Sequence, residues 1–273
     1  MEVSKEIQRE YNPAHPNYKR WQRAREISEE RAEFVEKIIS TEIIPEGLRI
    51  LDIGSGEGST SGLLSKKNFV ISLEIKPERL KKTLQKESLQ RIIADGLRVP
   101  FKPGSFNLII LQDAIEHIAI NENFFEQLSE FLKKNGIIYL STPNRLSVFN
   151  VISDPHWGLP FLALFKSDQI KKYFLKIFRK ADSKRDDIAE LLSMKKIIRL
   201  ANKNFLVKIC THISIHHLLS GGKGLVWSNF HKGLIKVANL PLIRTLLLNI
   251  SNDKPGFVNK FFTPTFYVLL KKR

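Results

Sequence analysis

The segment LDIGSGEG offers the clearest chemistry in the chain, because an apolar run ends in Asp52 and a glycine-rich turn follows. Gly54, Gly56 and Gly58 stand at alternate positions, where the missing Cβ lets the backbone turn tightly and lie against a ligand. Glu74 ends the next apolar run, and a carboxylate there can accept hydrogen bonds from both ribose hydroxyls. The pattern predicts a nucleoside site. A plain strand-to-helix connection is the alternative for the turn, and a solvated strand end is the alternative for Glu74.

A second group of residues could act on a substrate. His117 follows the predicted fourth strand, and an imidazole that titrates near neutral pH can take a proton from a hydroxyl as a base. The alternatives are that His117 packs or caps its loop and that Glu116 orients this loop. His156 and Trp157 lie in the segment DPHWGLP and could line a substrate pocket, because loops beyond the carboxyl ends of parallel strands form the ligand crevice. Packing in the core is an equal alternative for Trp157.

Metal and disulfide chemistry is not expected from the sequence. His212, His216 and His217 have no carboxylate or cysteine partner at a convincing metal-site spacing. Cys210 is the only cysteine, which excludes an intrachain disulfide and fits a reducing compartment. The sequence therefore predicts no bound metal.

An alternating α/β pattern must position these residues. From Leu48 onward, short apolar runs alternate with amphipathic segments, which predicts a parallel sheet with helices on both faces. A leading helix spans residues 27–39 and ends before Pro45 and Gly47. The predicted strands span residues 48–53, 68–75, 91–94, 106–112, 136–142, 205–211 and 265–272. Later helices are predicted to include residues 63–64, the segment after residue 77, and residues 124–132, 168–178, 188–201, 216–219 and 234–248.

The ordered motifs of residues 51–118 resemble those of class I S-adenosylmethionine-dependent methyltransferases. Asp-x-Gly-x-Gly-x-Gly after the first strand is similar to their first motif, whereas NAD enzymes carry Gly-x-Gly-x-x-Gly. Asp95 closes the third strand, as does the acidic residue that meets the adenine amino group in that family. The segment RVPFKPGSFNLIILQDAIEHI is similar to the family's Pro-Phe, Ser-Phe-Asp and Glu-His pattern, with Asn107 in place of the usual Asp. STPNR, after the fifth strand, resembles quinone-type and lipid- or sugar-modifying members.

The resemblance implies S-adenosylmethionine as the cofactor. The backbone of the glycine turn would cradle the methionine portion, Glu74 would hold the ribose, and Asp95 with Gly96 would flank the adenine. Arg31 on the leading helix lies where quinone-type relatives place an arginine near the methionine carboxylate, and a surface position on the helix is the alternative. The implied cofactor-binding residues are Asp52, Gly54, Ser55, Gly56, Gly58, Glu74, Ile75, Asp95, Gly96, Gln112 and Arg31.

The same resemblance implies the fold class and its divisions. We expect a Rossmann-like, doubly wound α/β fold, whose seven-stranded sheet is mostly parallel with an antiparallel last strand, plus helical insertions. The resemblance lapses over residues 146–262. The predicted divisions are an N-terminal helical lid (1–47), a cofactor-binding core (48–145), an insertion with helices on the acceptor side (146–204), strand six (205–211), a helical insertion (212–262) and the final strand (263–273).

Charge and apolar patterning bear on partners and location. The chain carries 44 Lys and Arg against 28 Asp and Glu, a formal net charge of +16, which favours anionic partners, with solubility alone as the alternative. In GLIKVANLPLIRTLLLNI, apolar residues with sparse cations predict a region that docks on an anionic membrane or covers a hydrophobic acceptor. A helical cap buried against the sheet is the equal alternative. No signal-peptide core and no apolar run of membrane-spanning length occurs. We therefore expect a cytoplasmic protein, with peripheral membrane contact under the docking interpretation.

These patterns predict a methyltransferase that acts on a small-molecule, lipid, quinone or lipid-linked sugar acceptor, with oxygen as the expected methylated atom. An RNA-modifying methyltransferase is one alternative, because the positive charge could contact phosphates. Nucleic acid is not favoured, since the basic residues form no aromatic-interleaved stripe. In addition, strand four leads into QDAI instead of the Asn-Pro-Pro-Tyr or Asp-Pro-Pro-Tyr of amino-methylating DNA enzymes. A non-catalytic partner protein that keeps the fold is the third interpretation.

Overall fold

The structure is a computed structural model that describes residues 11–80, 88–96, 98–118, 120–183, 185, 188–221 and 229–273. Within these residues the strands are β1 (Arg49–Ile53), β2 (Phe69–Glu74), β3 (Leu89–Ile93), β4 (Phe106–Gln112), β5 (Leu132–Pro143), β6 (Phe205–Ile209) and β7 (Thr265–Lys272). They form one sheet in the order β3-β2-β1-β4-β5-β7-β6. Neighbours among β1 to β5 pair in parallel, and β7 is antiparallel to both β5 and β6. The Rossmann-like sheet with an antiparallel last strand is confirmed.

Helices connect the strands and form the insertions. In the described residues they are α1 (Tyr18–Glu26), α2 (Ser28–Ile39), α3 (Ser59–Leu64), α4 (Pro77–Leu80), α5 (Glu122–Phe131), α6 (Val148–Ile152), α7 (Ser167–Gln169, continued by a π-helical stretch over Ile170–Leu175 and by Lys176–Phe178), α8 (Met194–Ala201), α9 (Thr211–Leu219), α10 (Asn229–Ala238), α11 (Pro241–Ile250) and α12 (Phe257–Phe261). Short 3-10 turns occupy Ile115–His117, Leu162–Leu164 and Lys180–Asp182.

Two hydrophobic cores cover the two faces of the sheet. Successive residues of a strand face opposite sides, so β1 sends Ile50 into one core and Leu51 into the other. Phe34 of α2 belongs to the first core, while Phe125 of α5 and Ile197 of α8 belong to the second. Burial on both faces explains why the central strands are continuous apolar runs.

The sixth strand and the helix before β5 end earlier than predicted. The strand predicted over residues 205–211 stops at Ile209 because Thr211 opens α9, where its hydroxyl donates to the buried Asn259 Oδ1 at 2.6 Å. The helix predicted to include Leu132 ends one residue earlier, since Leu132 pairs with β4 and opens β5. Both differences arise from contacts with residues distant in sequence.

Two later helices also differ from the sequence prediction. The helix predicted over residues 188–201 begins only at Met194, because the preceding segment is extended and Leu192 bridges to Asn144 after β5. The apolar stretch predicted over 234–248 is divided between α10 and α11, since Pro241 favours an extended conformation at the residue before it. None of the helices in the described residues is long and apolar enough to cross a membrane.

The carboxyl ends of β1 to β5 meet at one edge of the sheet, which we call the carboxyl edge. The glycine turn follows β1, Glu74 ends β2, and Asp95 lies two residues beyond β3. Gln112 ends β4, and a 3-10 turn with Glu116 and His117 follows. The fold therefore gathers the motif residues at this edge. The six divisions of the chain drawn from the sequence stay a prediction.

Candidate cofactor and acceptor site

The glycine turn between β1 and α3 lies at the carboxyl edge, where its main-chain amides bond to the end of β2. The N–H groups of Gly54 and Ser55 both donate to the Leu73 carbonyl at 2.9 Å. Gly54 has a φ of +73°, and a Cβ there would lie 2.7 Å from the Cβ of Ala114. Position 54 therefore needs glycine both for its backbone conformation and for its contact with the turn after β4. A Cβ on Gly56 would meet no described atom within 4 Å, so that side of the turn is open to a ligand.

Ser55 and Gly58 complete the turn. Gly58 has a φ of +80° and precedes α3, and its N–H donates to the Ser55 carbonyl at 3.0 Å. The Ser55 hydroxyl is buried and has no hydrogen-bond partner among the described residues. Because a buried polar group without a partner is costly, this hydroxyl marks a place where a ligand group can bind.

Glu74 is fixed beside the same turn. Its carboxylate is buried, Oε2 accepts from the Gly56 N–H at 3.0 Å, and Oε1 accepts from the Lys76 N–H at 3.0 Å. The next side chain, Ile75, is 61% exposed and forms an apolar surface that suits one face of a nucleobase. The structure thus places Glu74 and Ile75 together at the turn, and their contacts with ribose and adenine stay predictions.

Asp52 lies beneath the turn instead of at its surface. The residue is 2% exposed, and its Oδ2 accepts a hydrogen bond from the Ser61 hydroxyl at 2.6 Å. Burial raises the pKa of the Asp52 carboxyl to about 7, the Ser61 bond opposes that rise, and the charge of Glu74 adds a smaller increase. The geometry gives Asp52 a supporting position at the end of β1.

The segment after β3 and the end of β4 contribute further residues to the carboxyl edge. A Cβ on Gly96 would lie 2.5 Å from Ile53 Cγ2, so glycine lets the segment after β3 pack on the end of β1. The neighbouring Asp95 side chain is 40% exposed and accessible at this edge. Gln112 is oriented by the Thr60 hydroxyl, which donates to its Oε1 at 2.6 Å. The sequence-predicted adenine and cofactor contacts of these residues remain untested.

Arg31 reaches the carboxyl edge from α2. Its guanidinium forms an ion pair with Asp113, directly after β4, and both side chains are partly buried. The other carboxylate oxygen of Asp113 accepts from the Ser141 hydroxyl at 2.7 Å. Asp113, which the sequence analysis did not single out, has a left-handed φ of 48°. Arg31 is therefore paired at the carboxyl edge, and its contact with a methionine carboxylate stays a prediction.

A carboxylate and two imidazoles lie just beyond Asp113. Glu116 is buried, and its Oε2 accepts from the Thr142 hydroxyl at 2.8 Å. Its Oε1 lies 4.0 Å from His156 Nε2, and the rings of His117 and His156 meet edge to face with centroids 5.4 Å apart. Burial raises the pKa of the Glu116 carboxyl to about 8, and the nearby charge of Asp113 adds to the rise. The structure brings His117 and His156 together across two loops.

Trp157 is buried and is not an exposed residue beside Glu116, His117 and His156. It is 4% exposed and packs in a separate apolar core with Leu162, Ile170 and Leu175. The packing alternative is therefore the observed arrangement. The same loop depends on Asp154, which sequence reasoning missed although an Asp-Pro pair often begins a turn.

These residues fit S-adenosylmethionine. The cofactor carries a nucleoside and an amino acid, and the edge offers an open glycine turn, the Ser55 hydroxyl and a fixed carboxylate at Glu74. The apolar surface of Ile75 lies next to that carboxylate. When bound, the cofactor supplies an electrophilic methyl group on sulfur.

Solved structures show the same architecture. A structure from Listeria monocytogenes described as an S-adenosylmethionine-dependent methyltransferase matches with a TM-score of 0.56 and 12% identity, covering 90% of this chain and 98% of that one. Haemonchus contortus phosphoethanolamine N-methyltransferase 2, solved with S-adenosylhomocysteine, matches with a TM-score of 0.51 and 17% identity, covering 88% of this chain and 52% of that one. At these identities the match shows the fold alone.

Sequence comparison finds relatives over the same core. A ubiquinone biosynthesis O-methyltransferase from Caulobacter vibrioides is 28% identical over 111 residues, which cover 37% of this chain and 42% of the relative. The match thus spans less than half of that relative's length.

The fold and the cofactor crevice define the class I S-adenosylmethionine-dependent methyltransferases. A family model described as a methyltransferase domain matches residues 44–182, just over half of the chain. The chain belongs to this methyltransferase-domain family, and S-adenosylmethionine is the cofactor that its crevice residues fit.

Proposed function

We propose that this chain transfers the methyl group of S-adenosylmethionine to a hydroxyl oxygen of a small-molecule acceptor of the quinone or lipid type. The observation that carries the proposal is the cluster of Glu116, His117 and His156 at the carboxyl edge. A Cβ added to Gly54 of the cofactor turn would lie 2.7 Å from the Cβ of Ala114, two residues before Glu116, so the cluster adjoins the cofactor crevice. The name of the Caulobacter relative supports oxygen as the methylated atom.

Methyl transfer from a sulfonium requires in-line approach of the acceptor oxygen, so positioning supplies much of the rate acceleration. The oxygen bonds to the methyl carbon as the sulfur–methyl bond breaks, which leaves S-adenosylhomocysteine. The hydroxyl proton passes to the His117 imidazole, which is exposed and can release it to water. Glu116 and His156 hold the other side of the acceptor oxygen.

The segment after β5 supports a hydrophobic acceptor. It exposes apolar side chains on α6 and at the following turn, namely Val148, Phe149, Ile152, Phe161 and Leu164. Apolar surface next to convergent polar groups is typical of small-molecule sites. Together these side chains suit the ring or tail of a quinone-like or lipid-like molecule.

Calorimetry with S-adenosylmethionine, followed by transfer of labelled methyl groups to quinol, lipid, sugar and RNA fractions, tests the function. We expect cofactor binding and label in the hydroxylated small-molecule or lipid fraction. Glu74→Gln is expected to weaken cofactor binding by about tenfold or more, because it alters a charged hydrogen-bond acceptor. Glu130→Gln, at an exposed position on α5, is the matched control. Absence of cofactor binding would support a non-catalytic protein. Label in the RNA fraction alone would contradict the small-molecule acceptor and support an RNA-modifying methyltransferase.

We also propose that α11 and α12 contact an anionic membrane surface. Leu242 is 87% exposed and Leu246, one helical turn later, is 58% exposed, while Phe257 of α12 is 70% exposed. The exposed cations Lys254 and Lys260 lie close to these side chains in sequence. Exposed apolar side chains bordered by cations match the requirements of an interfacial helix.

Sedimentation with vesicles tests the membrane contact. The protein is expected to sediment with vesicles that contain phosphatidylserine and to stay in solution with phosphatidylcholine alone. The double variant Leu242→Glu and Leu246→Glu is expected to lose most of this binding. Ile44→Glu changes a 77% exposed side chain on a different segment and is the matched control. Equal binding by the double variant and the control would contradict the proposal.

A further inference from the structure

One carboxylate and two imidazoles converge at the acceptor end of the carboxyl edge. One ligand-capable atom each from Glu116, His117 and His156 lies within 4.8 Å of the other two. Glu116 and His117 follow β4, whereas His156 lies in the loop after α6. We propose that these three side chains form a binding site for a divalent transition-metal ion, which the sequence analysis did not anticipate.

Glu116 supplies the first argument. Its side chain is 1% exposed, and only Oε2 has a hydrogen bond among the described residues, from Thr142 at 2.8 Å. Oε1 has no hydrogen-bond partner there, and His156 Nε2 at 4.0 Å lies beyond hydrogen-bond distance. A buried carboxylate oxygen without a partner carries a desolvation cost. A cation between Oε1 and the imidazole would remove that cost.

The separation of the three atoms supplies the second argument. Bonds from a transition metal to carboxylate oxygen or imidazole nitrogen are about 2.0–2.2 Å long, so the ligand atoms of one ion lie about 3–4 Å apart. Atoms already within 4.8 Å of one another reach that spacing by small side-chain rotations. One carboxylate with two imidazoles favours Zn²⁺ or a similar ion over Mg²⁺ and Ca²⁺, which prefer oxygen ligands.

The loop that carries His156 supplies the third argument, because helix α1 and the residue before it fix this loop. Arg20 Nη1 donates to the carbonyls of Asp154 and Pro155 at 2.8 and 3.0 Å. Asn17 Nδ2 donates to the His156 carbonyl at 2.8 Å, and Asp154 Oδ1 accepts from the His156 N–H at 2.8 Å. The backbone of His156 is therefore held in place, which preorganises a ligand at low entropic cost.

A three-ligand site leaves coordination positions open for a substrate. The acceptor class that suits it carries a hydroxyl, or two adjacent hydroxyls, able to bind those positions. A metal-bound hydroxyl loses its proton more easily than a free one, and with the ion bound it would release that proton to water. His117 would then be a ligand, and it would act as the base only in metal-free protein. This use of the ion rests on the proposed function, whereas binding of the ion does not.

Titration of chelator-treated protein tests the site, with Zn²⁺ followed by calorimetry and Co²⁺ by visible absorption. We expect one ion per chain. Glu116→Gln and His156→Ala are each expected to weaken Zn²⁺ binding by about tenfold or more. His216→Ala removes an exposed histidine of α9 and is the matched control, with affinity as in the unaltered chain. Unchanged affinity in both site variants, or an equal loss in the control, would overturn the proposal.

Two further measurements separate this inference from the proposed function. Thermal melting shows whether each variant is folded, and His117→Ala provides a second ligand variant in case Glu116→Gln unfolds. One-to-one Zn²⁺ binding without methyl transfer to any acceptor supports the metal site and contradicts the proposed function. Full methyl transfer by chelator-treated protein that binds no Zn²⁺ supports the proposed function and overturns the metal site.

Discussion

The two halves of the carboxyl edge are assembled in different ways. In the cofactor half, residues 52–112, adjacent strand ends bond to one another, as Glu74 does to the Gly56 N–H, 18 residues away in sequence. In the acceptor half, residues 113–117 and 142–158, the bonds join distant segments. Arg20 and the Asp154 carbonyl, for example, are 134 residues apart. A motif that is compact in sequence forms the cofactor half, whereas contacts between distant segments form the acceptor half.

Because the two halves are assembled differently, we expect them to respond separately to substitution. The cofactor half depends on backbone conformation and on a few buried carboxylates, so changes there should affect cofactor affinity and folding together. The acceptor half depends on a loop held from α1, so changes there should affect the acceptor or the metal site and leave cofactor affinity intact. Measuring stability, cofactor affinity and Zn²⁺ affinity in matched variants tests this expectation.

Gly54→Ala should have the largest effect. The added Cβ must occupy a left-handed backbone position and meet the Ala114 Cβ at 2.7 Å. We expect unfolding free energy to fall by about 2–5 kcal/mol and cofactor affinity to fall by about a hundredfold or more. Chemical denaturation and calorimetry measure the two quantities.

Gly104→Ala is the control for that substitution. Gly104 has a φ of +65°, but no described atom lies within 4 Å of the added Cβ. The unfolding free energy of Gly104→Ala should fall by about 1 kcal/mol through backbone strain, and its cofactor affinity should be unchanged. If both glycine variants lost cofactor binding equally, close contact at the turn would not explain the effect.

The Asp52 carboxyl should make stability depend on pH. Its pKa is raised to about 7 in the folded chain by burial, whereas an unfolded Asp titrates near pH ~3.9. The folded state therefore holds the proton more tightly, so its contribution to stability is present below pH ~4 and is lost as pH rises to about 7.

Denaturation of the unaltered chain and of Asp52→Asn across this range measures the effect. Relative to the unaltered chain, the variant should gain up to about 1.4 kcal/mol per pH unit between pH ~4 and ~7, and no more above it. Other titrating groups are common to both chains and cancel in the difference. If the stability difference between Asp52→Asn and the unaltered chain did not change with pH, burial would not raise the pKa of the Asp52 carboxyl.

Arg20→Ala should have an intermediate effect confined to the acceptor half. Loss of its bonds to the Asp154 and Pro155 carbonyls should free the loop that carries His156. We expect Zn²⁺ affinity, or acceptor use at low concentration, to fall by about tenfold, because supporting groups around a site have effects of that size. Cofactor affinity should change by less than about twofold.

Arg23→Ala is the matched control on the same helix. Arg23 pairs with Glu26, three residues further along the same chain segment, at 3.2 Å. It should leave both affinities unchanged. A large loss of cofactor binding in Arg20→Ala would show instead that the two halves are coupled.

Asn107→Asp should have the smallest effect. Asn107 Oδ1 accepts from the Arg49 N–H at 3.0 Å and from Lys133 Nζ at 3.2 Å, away from the carboxyl edge. An Asp would keep both bonds and add an attraction to the lysine of about 0.5 kcal/mol. We expect a slightly higher melting temperature and unchanged cofactor affinity, whereas a changed affinity would place this residue in the cofactor half.

The sequence predicted the sheet and the cofactor turn because both rest on local patterns. Apolar runs of strand length separated by amphipathic segments indicated the sheet, and glycines that need left-handed or crowded positions, such as Gly54, marked the turn. The last residue of β6 and the first residue of α8 were misplaced. Asn259 bonds to Thr211 just after β6, and Asn144 bridges to Leu192 just before α8. Local propensity carries no information on such partners.

The fold class and the glycine turn could thus be predicted from the sequence alone, since both follow from spacing along one stretch of chain, and the resemblance of the motifs implied the cofactor. The burial of Asp52 could be known only from the tertiary structure. The same holds for the Arg31–Asp113 ion pair and for the position of His156 beside Glu116. These pairings join segments that are far apart in sequence. Their geometry is set when the sheet and its insertions pack, because packing fixes which side chains lose water and which charges become neighbours.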